Sequence, residues 1–456
     1  MLSTRRRSNL SEEREAIAAA KAKRSWRNAL TQWKTAGEGF MRRFIKNEHM
    51  LQNAAVKIHI HKDGYNLEEK LGDFTECHLF QSPKGLEFMI PNITFQNMKK
   101  FLNPIEDVTV ADSRRQKDYT VKLDEFLNAF KQKHRESILN MISLEFSSLN
   151  TKLTKEFQTL KFVKSNSMVN QLETAMAKEK EEYEKKLKSA STKSMKAQCK
   201  KTLAYINMIQ NEMPRYQKFL LVSMAGSFTD IHVDFSATSV YYHVRKGRKI
   251  FYVAPPTERN LQIYESAEKL ETGDRWVGDL LWDQWQRIEI LEGQTAMIPA
   301  GWIHFVYTPV DSIVVGGNFL MERHMDLQFR MTNLEEECVQ KQGKIDRSNM
   351  FQGFYPLMWA YLKHVFLPNI AANPLNPSGD SRIKSIQTFL KEMNPKAKID
   401  KTWYTQSERE QMVKALKKEF AKVPSAAKSA AARSAPIAME DEPRAKRVRK
   451  VVCYRY

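Results

Sequence analysis

The chain has 456 residues, 42% of them hydrophobic, and a formal net charge of +20 from 73 basic and 53 acidic side chains. This is enough for a sizeable core, in one large domain with additions or in two to three smaller ones. The charge excess favours a polyanion, nucleic acid or an acidic membrane face, through counterion release and steering. The four cysteines, Cys77, Cys199, Cys338 and Cys453, form no C-x-x-C pair, which excludes a zinc finger and a disulfide framework and fits a reducing compartment.

The start MLSTRRRSNLSEERE has no apolar stretch after its basic residues, so no secretory signal is expected. No run approaches the ~20 apolar residues that span a bilayer, so no membrane role is expected either. Residues 1–36 read as a basic arm with some helix, Ser11 serving as a cap. Residues 37–125 read as a mixed subdomain, with a helix start in PNITFQNMKKFL and a strand in EDVTVAD. From Phe126 the apolar spacing is helical, and ILNMISLEFSSL is strand-like. A core is expected over 126–335. Within it, 165–213 is charged and lacks glycine, and Leu172, Met176, Tyr183 and Leu187 share one helical stripe. This predicts an exposed helical hairpin with one packed seam; a coiled-coil dimer seam is the alternative.

From Tyr216 to Leu320 the texture is β. FLLVSMA, SVYYHV, KIFYVAP, RIEIL, TAMIPA, WIHFVYT and SIVVGGNFL are separated by turn signals including Lys246-Gly247 and Pro309-Val310-Asp311. Many short strands with such turns suggest a sandwich or barrel. Helices return over 336–422, and 423–456 reads as a disordered basic tail. Its KRVRK run is similar to a nuclear localisation signal or is a generic basic tail.

Four His-x-acid triplets occur: His61/Asp63, His134/Glu136, His232/Asp234 and His324/Asp326. With 10 histidines and 53 acidic residues, chance supplies about one such pairing. Residues at i and i+2 share a face of a strand but not of a helix. Ile231–Phe235 alternates, so His232 and Asp234 point one way while Ile231, Val233 and Phe235 point the other. His61/Asp63 runs into a turn at Gly64, His324/Asp326 opens a helix, and His134/Glu136 lies in a charged helical stretch; all three read as surface. A third ligand is offered by His304 in G-x5-P-x-G-x2-H, formed by Gly293, Pro299, Gly301 and His304, which resembles the second motif of the cupin barrels. Two histidines and one carboxylate leave octahedral positions open, as in non-haem Fe(II) oxygenases. An organic acid chelating that iron needs a buried cation for its far end; Lys249 is the candidate, and Thr229 offers a hydroxyl to the same carboxylate.

SFTDIHVDFSATSVYYHVRKGRKIFYVAPPT, GQTAMIPAGWIHFVYTPVDSIVVGGNFL, ILNMISLEFS and VTVADSRRQKDYTVKL together closely resemble the JmjC-domain histone lysine demethylases, nearest the branch that usually carries a PHD finger or F-box. The resemblance covers most of 70–335 and, more loosely, the helices to about 400. It implies an α+β fold: a JmjC double-stranded β-helix, a cupin-like jelly roll, flanked by N-terminal mixed and C-terminal helical elements. It implies Fe(II) held by His232, Asp234 and His304, with 2-oxoglutarate and O2 as co-substrates. Thr229 and Lys249 would hold the distal carboxylate of 2-oxoglutarate, and Asn140 and Tyr242 would help line its site. Asn318 would lie near the iron and the methyl group. The activity implied is demethylation of mono- and dimethyl-lysine on a histone H3 tail in the nucleus, releasing formaldehyde and succinate.

Three features depart from the family. Ser236 and Ala237 stand where relatives mostly have two glycines, which predicts a narrower methyl pocket. The 165–213 segment replaces a shorter stretch, which predicts a different rim to the substrate groove. No PHD finger, F-box or CXXC module is found in these residues. The basic arm, insertion and tail are expected to contact nucleosomal DNA in place of the missing reader. The rival readings are a hydroxylase on the same fold and a catalytically weak chromatin-binding scaffold.

Overall fold

The computed structural model describes residues 2–31, 38–53, 55–115, 117–270, 275–342, 350–376, 379–399 and 402–433. Its sheet contains β1 (Ile58–His61), β2 (Cys77–Phe80), β3 (Asp107–Asp112), β4 (Lys117–Lys122), β5 (Leu139–Glu145) and β6 (Phe219–Ser223). It continues with β7 (Phe228–His232), β8 (Ser239–Ala254), β9 (Gln286–Leu291), β10 (Thr295–Ile298) and β11 (Ile303–Phe319). The strand order is β1-β2-β10-β8-β11-β6-β5-β3-β4, with β7 added to β11 and β9 to β8. Among the described strands, only β1 and β2 run parallel.

Two strands organise the architecture. β8 and β11 pair antiparallel from Ala254/Ile303 to Ser239/Phe319. The first half of β8 also pairs with β10 and its second half with β9. The first half of β11 pairs with β7 and its second half with β6. Each long strand therefore serves two sheets, which close over an interior containing Phe251, Val253, Ala296, Trp302 and Val306. This is the expected double-stranded β-helix on an α+β framework.

Two expected turns are instead bends within these strands. Lys246-Gly247 lies inside β8, and Pro309–Asp311 lies inside β11 at shifts of register. Gly247 has φ +83°, and a Cβ there would sit 2.2 Å from the Asp311 carbonyl oxygen. Only glycine lets the two strands pass so closely. In sequence, such a bulge carries the same residues as a turn.

Helices of eight or more residues among the described ones are α1 (Leu2–Leu30), α2 (Glu38–Asn47), α3 (Met168–Ser189), α4 (Lys193–Glu212), α5 (Glu258–Glu268) and α6 (Met325–Gln342), then α7 (Phe354–Tyr361), α8 (Arg382–Glu392), α9 (Gln406–Ala421) and α10 (Ser425–Arg433). The expected N-terminal arm is a helix whose end is built into the core. Trp26 and Leu30 are buried, and Arg27 Nε donates to the buried Asp279 Oδ1 at 2.5 Å. α2 places Phe40 and Phe44 against Phe228, and Phe44 also meets Tyr252 and Phe305. The apolar positions are few and lie among basic residues, so composition conceals the stripe.

The expected hairpin at 165–213 is α3 and α4. Leu172 and Met176 of its seam are buried with Ile206, Ile209, Met358 and Leu362, and Tyr183 packs against the same cluster. The seam thus meets the chain's own C-terminal helices. Tyr205 donates to the Trp403 carbonyl at 2.6 Å, and His364 bridges Glu179 and Tyr404 at 2.8 and 2.9 Å. The expected disordered tail begins with helix α10, where the Lys428 carbonyl accepts from Gln387 at 2.9 Å. The KRVRK run lies outside the described residues. His134 and Glu136, expected on a helix, occupy the connection before β5.

Candidate metal centre

His232 is the last residue of β7 and His304 the second of β11, and the two are direct partners across the ladder. Strand pairing alone therefore brings the two imidazoles together, with ring centroids 4.3 Å apart. Gly301, at φ +76°, turns the chain from β10 into β11 ahead of His304. One ligand atom from each of His232, Asp234 and His304 lies within 4.8 Å of the others.

Neighbouring carbonyls select the imidazole tautomers. His232 Nδ1 lies 2.8 Å from the Asp230 carbonyl, and His304 Nδ1 lies 3.0 Å from the Trp302 carbonyl. A carbonyl only accepts, so each Nδ1 carries the proton and each Nε2 presents a lone pair. Burial, reinforced by His232, draws the pKa of His304 down to about 4, which keeps this ring neutral. Asp234 Oδ2 lies 3.7 Å from His304 Nε2. Two imidazoles and a carboxylate converging in a barrel fit a divalent transition metal with open coordination positions.

Asp234 is held differently from what alternation predicts. β7 ends at His232, and Phe235–Ala237 forms a tight turn. Ile231 and Val233 pack in the cluster beneath α1 and α2, but Phe235 packs against the C-terminal cluster. Period-two alternation therefore stops one residue before the carboxylate. Ser236 and Ala237 follow with φ +49° and +46°, and both are fully buried. Left-handed backbone costs a residue with a side chain about 1–2 kcal/mol.

The side chains of this pair face α6. Ser236 N–H donates to Glu335 Oε1 at 2.6 Å, and its hydroxyl lies 2.8 Å from Thr332 Oγ1. Ala237 packs in a cluster with Leu327 and Met331. Asn318, at the far end of β11, donates from Nδ2 to Thr238 Oγ1 at 2.9 Å, one residue beyond Ala237.

The candidate 2-oxoglutarate residues form a second constellation. Lys249 Nζ donates to Ser223 Oγ at 2.6 Å and to Thr308 Oγ1 at 2.8 Å. Ser223 Oγ donates to Asn140 Oδ1 at 2.6 Å, and Asn140 Nδ2 donates to Thr229 Oγ1 at 3.3 Å. Three of the four expected residues thus join one directional relay. Tyr242 stands outside it, its ring 4.8 Å from that of Phe251. Burial, then the Asp234 charge, pushes the Tyr242 phenol upward, so it remains a hydroxyl.

Lys249 is 2% exposed, and among the described residues no carboxylate pairs with it. Burial alone draws its ammonium down to about 7. His304 is opposite Val253, and Lys249 shares the Val253 face of β8 four residues away. Lys249 is therefore rooted on the same inner surface as the candidate metal ligands, its Cα about 13 Å along β8 from that of Val253 at the usual rise. Ser223 and Thr308 were missed in the sequence. Their signal was parity: Thr308 is four residues after His304 on one strand, and Ser223 ends an otherwise apolar run.

An antiparallel barrel of this form, with His-x-Asp and a distant histidine converging inside it, defines the class of metal-binding double-stranded β-helix proteins. Within that class, the chain is 32% identical to lysine-specific demethylase 2A of Xenopus tropicalis over 61% of its length and 22% of the relative's. It is 30% identical to lysine-specific demethylase 2B of Mus musculus, over 66% of its length and 23% of the relative's. It is 33% identical to JmjC domain-containing histone demethylation protein 1 of Caenorhabditis elegans, over 60% of its length and 24% of the relative's. These relatives bear out the resemblance to the JmjC-domain histone lysine demethylases. The chain spans about a quarter of the length of these curated relatives. No protein-family model matches it.

Proposed function

We propose that this chain is an Fe(II)- and 2-oxoglutarate-dependent dioxygenase that removes methyl groups from mono- and dimethyl-lysine on a histone H3 tail in the nucleus. The observation that carries this reading is the buried Lys249 ammonium, paired with no carboxylate among the described residues, on the same inner barrel face as the His232–Asp234–His304 cluster. A metal site alone supports many reactions. A metal site with a buried cation supports a co-substrate that chelates at one end and carries a carboxylate at the other.

His232, Asp234 and His304 would hold the iron, which supplies oxygen activation and oxidation of the N-methyl carbon. The Asp230 and Trp302 carbonyls keep the two imidazoles in the ligating tautomer. Lys249, steadied by Ser223 and Thr308, would orient the distal carboxylate of 2-oxoglutarate, and Thr229 adds a hydroxyl through the Asn140 relay. Phe251 and Val253 keep water from the interior. Asn318, Ser236 and Ala237 would border the methyl group; with the Ser236 and Ala237 side chains engaged by α6, their backbone would be the part facing it.

The test is mass spectrometry of a methylated H3 peptide panel with wild type and His304→Ala. Loss of methyl mass by wild type alone, with 2-oxoglutarate consumed, supports the reading. A stable added oxygen without methyl loss favours a hydroxylase, and no turnover of 2-oxoglutarate leaves only a scaffold.

Nucleosomal DNA is proposed as a second partner. Lys185, Lys186, Lys188, Lys193, Lys196, Lys200 and Lys201 are exposed along the end of α3 and the first half of α4, and no acidic residue falls between Lys185 and Asn211. Such a cluster suits phosphodiester contact.

A further inference from the structure

The sheet fixes two of the three metal-site residues. His232 and His304 are ladder partners, but Asp234 lies two residues beyond the end of β7. Its backbone is held on either side by helices instead. Before it, Val233 N–H donates to the Tyr264 hydroxyl of α5 at 3.2 Å. After it, Ser236 N–H donates to Glu335 Oε1 of α6 at 2.6 Å, with the second carboxylate oxygen 3.4 Å from the Ser236 hydroxyl. The second hold falls on the turn where two consecutive side-chain-bearing residues adopt left-handed backbone. Such a turn relaxes unless its surroundings determine it.

We propose that Glu335 is a positioning residue for the metal centre: it pins the left-handed Ser236–Ala237 turn and thereby aims the Asp234 carboxylate at the point where His232 and His304 converge. This rests on the metal-binding reading of the site. Glu335 contacts Ser236 and acts on Asp234 through two peptide units. Glycines at 236 and 237 would adopt the same turn without strain, because glycine enters left-handed backbone freely. Ser and Ala require the clamp. The dependence on Glu335 is therefore tied to the two positions where this chain departs from the glycine pair.

The experiment is titration of the purified full chain with Co(II), followed by visible absorption, with thermal unfolding measured alongside. Glu335→Ala is expected to weaken Co(II) binding by about 10- to 100-fold, the range for losing an outer-shell partner. Glu335→Gln, whose amide oxygen still accepts from Ser236 N–H, is expected to stay within about threefold of wild type. Adding Ser236→Gly and Ala237→Gly to Glu335→Ala is expected to restore binding, which a purely structural role for Glu335 would not produce. Should Glu335→Ala alone fail to fold, the triple variant carries the test. Unaltered Co(II) affinity in Glu335→Ala overturns the proposal, as does a folded triple variant that binds no better than the single one. A wild-type chain that binds no Co(II) instead overturns the metal reading beneath it.

Discussion

Replacing Lys249 with methionine is expected to stabilise the chain when 2-oxoglutarate is absent and to weaken binding of 2-oxoglutarate. Methionine keeps much of the length of the lysine stem and removes the charge. The ammonium falls from its ordinary 10.5 to about 7 inside the barrel. At about 1.4 kcal/mol per pH unit, burying this group costs about 4 kcal/mol near neutral pH. Against that, Ser223 and Thr308 lose their donor, at about 1 kcal/mol each. The variant should therefore gain about 2 kcal/mol, read as a higher urea midpoint at unchanged slope. The sign has a pH signature. Because the folded pKa lies below the unfolded one, the unfolded chain holds the extra proton between pH 7 and 10.5. Wild-type stability therefore rises with pH across that window, and this contribution is absent from the variant. With 2-oxoglutarate present the order reverses. Losing one partner of a buried charge pair costs about 2–5 kcal/mol, so calorimetric affinity should fall by at least about 30-fold. A Lys249→Met variant that is less stable than wild type without 2-oxoglutarate, or that binds it with unchanged affinity, refutes this account of the ammonium.

Phe44→Ala should destabilise the chain by about 3–5 kcal/mol, because its fully buried ring packs on Phe228, Tyr252 and Phe305; a loss below about 1 kcal/mol in urea unfolding would show that α2 adds little to the core. Asp311 accepts two hydrogen bonds from Arg135, at 2.6 and 2.7 Å, and one from Ala225 N–H at 2.8 Å, and these contacts hold its carboxyl below 3.8 despite burial. Its contribution should be present above pH 3.8 and lost as pH falls through the depressed value, so Asp311→Asn should flatten the acid limb of a stability–pH curve. Changing Lys193, Lys196, Lys200 and Lys201 together to glutamine should weaken duplex DNA binding and make its logarithmic salt slope shallower by about 3–4, with peptide demethylation unchanged. An unaltered slope in fluorescence anisotropy would remove the hairpin from the DNA contact.

Legibility followed the range of each interaction. The barrel was readable because period-two patterning and turn residues are local, and His232 and His304 were readable because their motifs sit at strand ends. Gly247 misled because glycine serves a bulge as readily as a turn, and only the approach of Asp311 from β11 tells them apart. The alternation that selected Asp234 picked the carboxylate that lies with His232 and His304, but for a reason that fails at Phe235; its neighbours are held by α5 and α6, 31 and 99 residues away from their partners in sequence. α2 went unrecognised for a similar reason: Phe40 and Phe44 gain meaning only against Phe228 and Phe305, more than 180 residues later.

The pairing of β8 with β11 also gives the protein an internal reporter. His304 stands near one end of this ladder and Asn318 near the other, joined by continuous backbone on both strands. Amides in such a unit exchange with solvent when the strands separate as a cooperative block. A ligand that binds only the closed form lowers the open population by its own binding free energy, everywhere in the block. Deuterium uptake at Gly316 and Gly317 should therefore slow when the cluster at His232 and His304 is filled, so occupancy of the centre can be read from ordinary peptide amides twelve and thirteen residues further along β11 from His304.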